Sequence, residues 1–180
     1  EPLPLTADGA ATFLQGATGN GVFVTAPAAG NGTGAWVDSG RVTNPSAVTG
    51  DSYSVVFNVS AGNTTYAVMR NGAPTAITAA AYTAGQTIEF DGQALTVNGT
   101  PATGDRFDTT PSARNLSVFD ALDAAATALT KPNQTGAQIA QAVQMGLRDV
   151  DASMATMNAE RARLGEVLSR TDAVEARIAD

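Results

Sequence analysis

The chain has 180 residues and a net charge of -7, and its 10 Lys and Arg are scattered singly, so no basic patch can neutralise a run of phosphates and nucleic acid is excluded as a partner. With neither Cys nor His, it lacks disulfides, thiolate chemistry, sulfur-based zinc sites and the commonest general base. No stretch approaches the ~20 apolar residues that span a bilayer, so membrane insertion is excluded, and Glu1 to Leu5 has neither the basic start nor the apolar core of a signal peptide, which reads as the middle of a longer chain.

Gly and Pro fall almost wholly before Asn115, and Ala, Leu, Met, Arg, Asp and Glu dominate after it. This divides the chain into a β-rich part, 1–115, and a helical part, 116–180. Gly19-Asn20-Gly21 and Gly30-Asn31-Gly32 read as turns, because neither carries the Lys-Ser/Thr of a phosphate loop nor opens a helix. Weak strands are expected at Val22 to Thr25, Ala35 to Val37, Arg41 to Thr43 and Asp105 to Thr109, each bounded by Gly, Asn or Pro. Trp36 is expected to fill the core, since a large aromatic ring is usually substantially buried.

From Ser52 to Ser60, Tyr53, Val55, Phe57 and Val59 alternate with mostly polar residues, which is the period of a half-buried strand. Ala61-Gly62-Asn63 turns the chain, Thr64 to Arg70 completes a hairpin, and Asn71-Gly72 marks its end. A second hairpin pairs Thr87 to Phe90 with Gln93 to Val97 across Asp91-Gly92, a dipeptide that accepts the positive φ of a type I′ turn. These segments predict a small antiparallel domain, sandwich or barrel-like.

Chemistry in this half would rest on carboxylates, of which Glu89 with Asp91 and Asp105 with Asp108 are the closest pairs in sequence. Both read as solvated turn residues. Asp8-Gly9 and Asp91-Gly92 lack the alternating Asp and Asn and the closing Glu of a calcium loop. No catalytic, cofactor-binding or metal-ligating residue is assigned, and no cofactor. Asn-x-Ser/Thr matches at Asn31, Asn58, Asn63, Asn98, Asn115 and Asn133 follow from composition. Trp36, Tyr53 and Tyr66 are the candidate stacking groups if the β domain binds a surface glycan.

Pro111 to Asn115 is expected to end the sheet, and Ser117 to cap a short helix over about 117–130. Its packing stripe is Phe119, Leu122 and Leu129, with Ala126 between them. Lys131 to Gly136 breaks that helix, and no proline follows. A long helix over about 136–180 then carries Ile139, Val143, Leu147, Val150, Met154, Met157, Leu164 and Leu168 in steps of mostly three and four residues. This is a coiled-coil-type assembly seam. Arg161 and Thr171 interrupt it, and Gly146 and Gly165 each cost about 1 kcal/mol relative to Ala.

The long helix would extend ~66 Å, beyond the ~26 to 32 Å of the β domain, so most of its seam requires a partner helix from outside the chain. The predicted class is α+β: a small antiparallel β domain followed by a short helix and a long one.

The passage Gly99-Thr100-Pro101-Ala102-Thr103-Gly104-Asp105-Arg106-Phe107, then Pro111-Ser112 and Leu116-Ser117-Val118-Phe119-Asp120-Ala121-Leu122, resembles the exit from the β domain in the flagellar hook-associated protein 3 family (FlgL). Gly19 to Phe23, Trp36 to Gly40 and Asp149 to Leu168 also resemble that family. The resemblance implies a flagellin-like subunit whose terminal helices form a coiled core and whose β domain points outward. It implies extracellular placement at the hook-filament junction after export by the flagellar type III apparatus. The implied partners are copies of itself in a ring, neighbouring hook-associated proteins, and an export chaperone whose site lies outside this segment. The resemblance also places the covering amino-terminal helices before Glu1 and the last helical segment beyond Asp180. Flagellin shares the plan, but the β-domain phrases favour the junction protein.

Overall fold

The computed structural model describes residues 15–32, 34–132 and 134–179. Asp8-Gly9 and Asn133 lie outside them. In chain order come β1 (Gln15–Ala17), β2 (Phe23–Pro27), β3 (Ala35–Val37), β4 (Arg41–Val42), β5 (Tyr53–Ser60) and β6 (Asn63–Arg70). Then follow β7 (Ala73–Pro74), β8 (Ala80–Ala81), β9 (Thr87–Phe90), β10 (Gln93–Gly99), β11 (Arg106–Pro111), β12 (Arg114–Ser117), α1 (Val118–Leu129) and α2 (Gly136–Ala179).

Three tight turns organise the β domain. Ala61-Gly62 (φ 51 and 79), Asn71-Gly72 (49 and 82) and Asp91-Gly92 (41 and 75) hold positive φ at both residues, as two-residue type I′ turns require. They join β5 to β6, β6 to β7, and β9 to β10. Both expected hairpins are present, and Asn71-Gly72 opens a further one. Register is locked because β5 turns Tyr53, Val55 and Phe57 inward, and a slip by one residue would expose all three. Val59, expected on the same face, is 37% exposed near the hairpin tip.

One sheet runs β2-β11-β5-β6-β7, with β8 also on β6, and the other runs β3-β10-β4, with β9 on β10. Their inner faces share one apolar cluster, so the domain is a sandwich. Val37, Ile88, Phe90, Leu95 and Val97 come from one sheet, and Tyr53, Val55, Phe57, Tyr66, Val68 and Phe107 from the other. Phe57 makes T-shaped contacts with Tyr82 and Phe107 at centroid distances of 4.9 and 6.0 Å. Burying each such ring is worth about 1.5–3 kcal/mol relative to leaving it exposed.

Trp36 is not part of this core. Ala35 and Val37 face inward, so the period of two leaves Trp36 on the opposite face, half-buried. The sheet region also extends past Pro111. There β12 pairs with β1 as a two-stranded neck, Gln15 opposite Ser117, through which the chain enters and leaves the sandwich. Ser117 has extended cap geometry (φ -86, ψ 138), but its side chain makes no capping bond.

The connection between the helices is well satisfied. Gln134 Nε2 donates to the carbonyls of Ala128 and Lys131, both at 2.9 Å, which serves carbonyls left open where α1 ends. Thr135 and Gln138 form a reciprocal capping box, Thr135 N to Gln138 Oε1 at 3.0 Å and Gln138 N to Thr135 Oγ1 at 3.3 Å. The helix they start runs unbroken for 44 residues through Gly146 and Gly165.

Candidate assembly surface

α2 presents two different faces. One consists of small and polar residues and is buried inside the chain: Gln141, Ala142 and Ser153 are at most 9% exposed. Gly146 belongs to it. A Cβ there would stand 3.0 Å from that of Ala125, so α1 lies close against α2 through Ala121, Ala125 and Gly146. Further along, a Cβ on Gly16 would come within 3.3 Å of the Ala152 carbonyl oxygen and 2.9 Å of Thr156 Oγ1, so only glycine lets the neck cross here. The Ser153 and Thr156 hydroxyls donate back to the Asp149 and Ala152 carbonyls at 2.7 and 3.0 Å, and so need no other acceptor.

The other face is the apolar seam. At 100° per residue it is centred roughly 110° around the helix from the small-residue face. Ile139, Val143, Leu147, Met154, Met157, Leu164 and Leu168 are exposed, from 37% at Val143 to 64% at Leu168, and Val150 is half-buried. From 161 to 178 every residue is exposed.

Phe119, Leu122 and Leu129, the expected packing stripe of the short helix, stay largely open to solvent on α1. They are 78, 50 and 46% exposed, because α1 turns its alanines toward Gly146 and leaves its large side chains outward. Neither α1 nor the sandwich covers the seam. The residues that place these faces, Gly16, Ala121 and Ala125, escaped the sequence reading. Small residues carry no local signal of close approach.

The carboxylates are committed elsewhere. Glu89 lies 3.9 Å from Arg41, whereas Asp91 accepts from the Tyr53 hydroxyl at 2.6 Å, so the two do not converge. Asp105 is buried, with one oxygen accepting from Gly32 N at 2.6 Å and the other from Ala102 N at 2.8 Å. Asp108 accepts from Ser54 Oγ at 2.6 Å and pairs with Arg106 at 3.0 Å. Among the described residues no group of three or more Asp or Glu could hold a metal, and no helix is long and apolar enough to cross a membrane. Tyr53 and Tyr66, two of the three candidate stacking groups, are in the core at 1 and 8% exposure. Asn31, one of the Asn-x-Ser/Thr matches, spends its amide on the backbone of Arg106, at 2.7 and 2.9 Å.

Comparison with known proteins accords with this two-part plan. Residues 27–111 match a family model described as flagellar hook-associated protein 1, D2-like domain. No curated protein matches by sequence. Among solved structures, the flagellar junction protein FlgL of Legionella pneumophila is 25% identical with a TM-score of 0.79, over 94% of this chain and 55% of that one. FlgL of Xanthomonas campestris is 29% identical with a TM-score of 0.78, again over 94% and 55%. The chain therefore spans about half the length of the structures it matches. The chain is thus similar in structure to flagellar junction proteins of the FlgL type over nearly its whole length, and residues 27–111 are similar to the D2-like domain of flagellar hook-associated protein 1.

Proposed function

We propose that the protein containing this chain is a structural adaptor at the flagellar hook-filament junction, working by subunit packing and without catalysis or a cofactor. The observation that carries this reading is the α2 seam: eight apolar positions on one helix face, seven of them exposed, continuing through a helix end that is exposed from 161 to 178. An apolar stripe of this length is stable in water only when another helix covers it. Phe119, Leu122 and Leu129 extend the uncovered surface onto α1. The covering helices belong to other parts of the full-length protein and to neighbouring copies in a ring, with adjoining hook-associated proteins above and below. The sandwich points outward. The protein reaches its extracellular position through the flagellar type III apparatus, escorted by a chaperone bound outside this segment.

The test places Val150→Asp and Leu164→Asp together in the full-length protein. A carboxylate buried without a partner in a helix seam opposes packing by several kcal/mol. Cells carrying the variant are expected to export it to the medium in normal amounts, yet to lack filaments on completed hooks and fail to swim. Normal swimming and normal filaments would refute the reading.

A further inference from the structure

An edge strand turns the N–H and C=O of alternate residues outward, where they need another partner. β2 and β3 are such edges, one from each sheet of the sandwich. In β3, Asp38 N donates to Thr96 O at 3.1 Å and Thr100 N to Gly34 O at 2.9 Å, with Val37 opposite Val97. This places the Val37 amide and carbonyl on the side away from β10. They are buried there, and the Gln141 carboxamide meets both: Oε1 accepts from Val37 N at 2.8 Å, and Nε2 donates to Val37 O at 3.1 Å. Two such bonds to one residue are what a neighbouring strand would supply.

Seven residues later on the same helix face, the Arg148 side chain is 8% exposed, with its Nε held by Asp149 Oδ1 at 2.7 Å. Its Nη1 donates at 3.1 Å to the carbonyl of Thr25, the residue of β2 opposite Thr109. Ala28 N donates to Arg106 O and Ser112 N to Val22 O, both at 2.9 Å, so the alternation turns the Thr25 carbonyl outward as well. One edge of each sheet thus ends on one of two side chains about 10.5 Å apart along one helix.

We infer that Gln141 and Arg148 are positioning residues through which α2 stands in for the missing strand of each sheet. They set the rotation and height of the sandwich on the helix, and therefore its direction relative to the apolar seam. The neck crosses α2 at Gly16, beside Ala152 and Thr156. The paired contacts also cover two strand edges that would otherwise template pairing between copies.

Amide hydrogen exchange on the unaltered chain is the first test. The Val37 amide is expected to be protected at least about tenfold beyond an open edge amide, because its acceptor is a buried side chain. In Gln141→Leu that protection falls by about tenfold or more while the Val55 amide, inside the larger sheet, keeps its own. In the double variant Gln141→Leu with Arg148→Met, residual dipolar couplings from the sandwich and from α2 no longer fit one alignment tensor. An unprotected Val37 amide in the unaltered chain, or a single tensor in the folded double variant, overturns the inference. Should the double variant fail to fold, the exchange of Val37 in the unaltered chain and in Gln141→Leu decides it.

Discussion

Gly146 and Gly165 sit in the same helix and carry the same intrinsic penalty of about 1 kcal/mol against Ala, but their surroundings give them opposite meanings. A Cβ at Gly146 would meet Ala125 at 3.0 Å, whereas one at Gly165 would meet nothing within 4 Å. Gly165→Ala is therefore expected to stabilise its segment of helix by about 1 kcal/mol, read as greater ellipticity at ~222 nm. Gly146→Val is expected to lower the stability of the helix pair by about 1–3 kcal/mol, because its methyl groups force α1 away from α2. Thermal unfolding of both variants beside the unaltered chain checks the pair, and equal shifts would sink the argument. Propensity sees only the residue, so by sequence the two glycines carry the same cost. Trp36 shows the same limit: its size argued for the core, but its parity in a three-residue strand placed it on the other face. The Gly99 to Asp105 phrase was legible as lineage for a reason that is now physical. Gly99 and Gly104 hold φ of 86 and 90, and the Asp105 carboxylate ties the loop to Gly32 and Ala102.

At the scale of elements, local chemistry decided what could be read. The β5–β6 and β9–β10 hairpins are written in adjacent residues, an X-Gly turn between alternating strands, and so were legible. The pairing of β1 with β12 joins Gln15 to Ser117 across most of the β domain, and no window of sequence contains both partners. The expected cap at Ser117 and the unnoticed capping box at Thr135 and Gln138 divide similarly. The β strand that delivers Ser117 is set by its partner, whereas the box needs only its own four residues. Where two turns meet, a pH dependence follows. Asp51 accepts from Asn71 Nδ2 at 2.7 Å and from Arg70 Nε at 2.6 Å, joining the loop before β5 to the β6–β7 turn. The Asn71 hydrogen bond first, then those of Thr49 and Arg70, hold its carboxyl below the ordinary value of 3.8. A carboxyl depressed on folding adds stability above its unfolded value and loses it as pH falls through the folded one. The advantage of the unaltered chain over Asp51→Asn is thus expected to be constant above ~pH 5 and to shrink below ~pH 4, as read from urea midpoints. An advantage independent of pH would contradict it.

For the molecule as a whole, the seam could be read because its spacing is a property of one helix, but its exposure could not, because exposure depends on where α1 and the sandwich attach. They attach to the small-residue face, between Gln141 and Thr156, and leave 161–178 exposed throughout. A helix end without tertiary packing opens more readily than a packed segment. Arg161, Arg163, Arg170 and Arg177 all lie there. By contrast Arg41, Arg70, Arg106 and Arg114 lie in strands, Arg148 is held against the sandwich, and Pro132 follows Lys131 and blocks cleavage after it. Brief trypsin treatment followed by mass spectrometry is therefore expected to trim this chain back to Arg163 or Arg161, with the sandwich, neck and α1 intact. Opening is fast relative to cleavage at low protease, so the yield of each cut reports the local stability of its segment. First cuts at Arg70 or Arg106, or resistance of all four distal arginines, would mean that the end of α2 is covered within the chain, and the case for a seam built for outside helices would lose its main support.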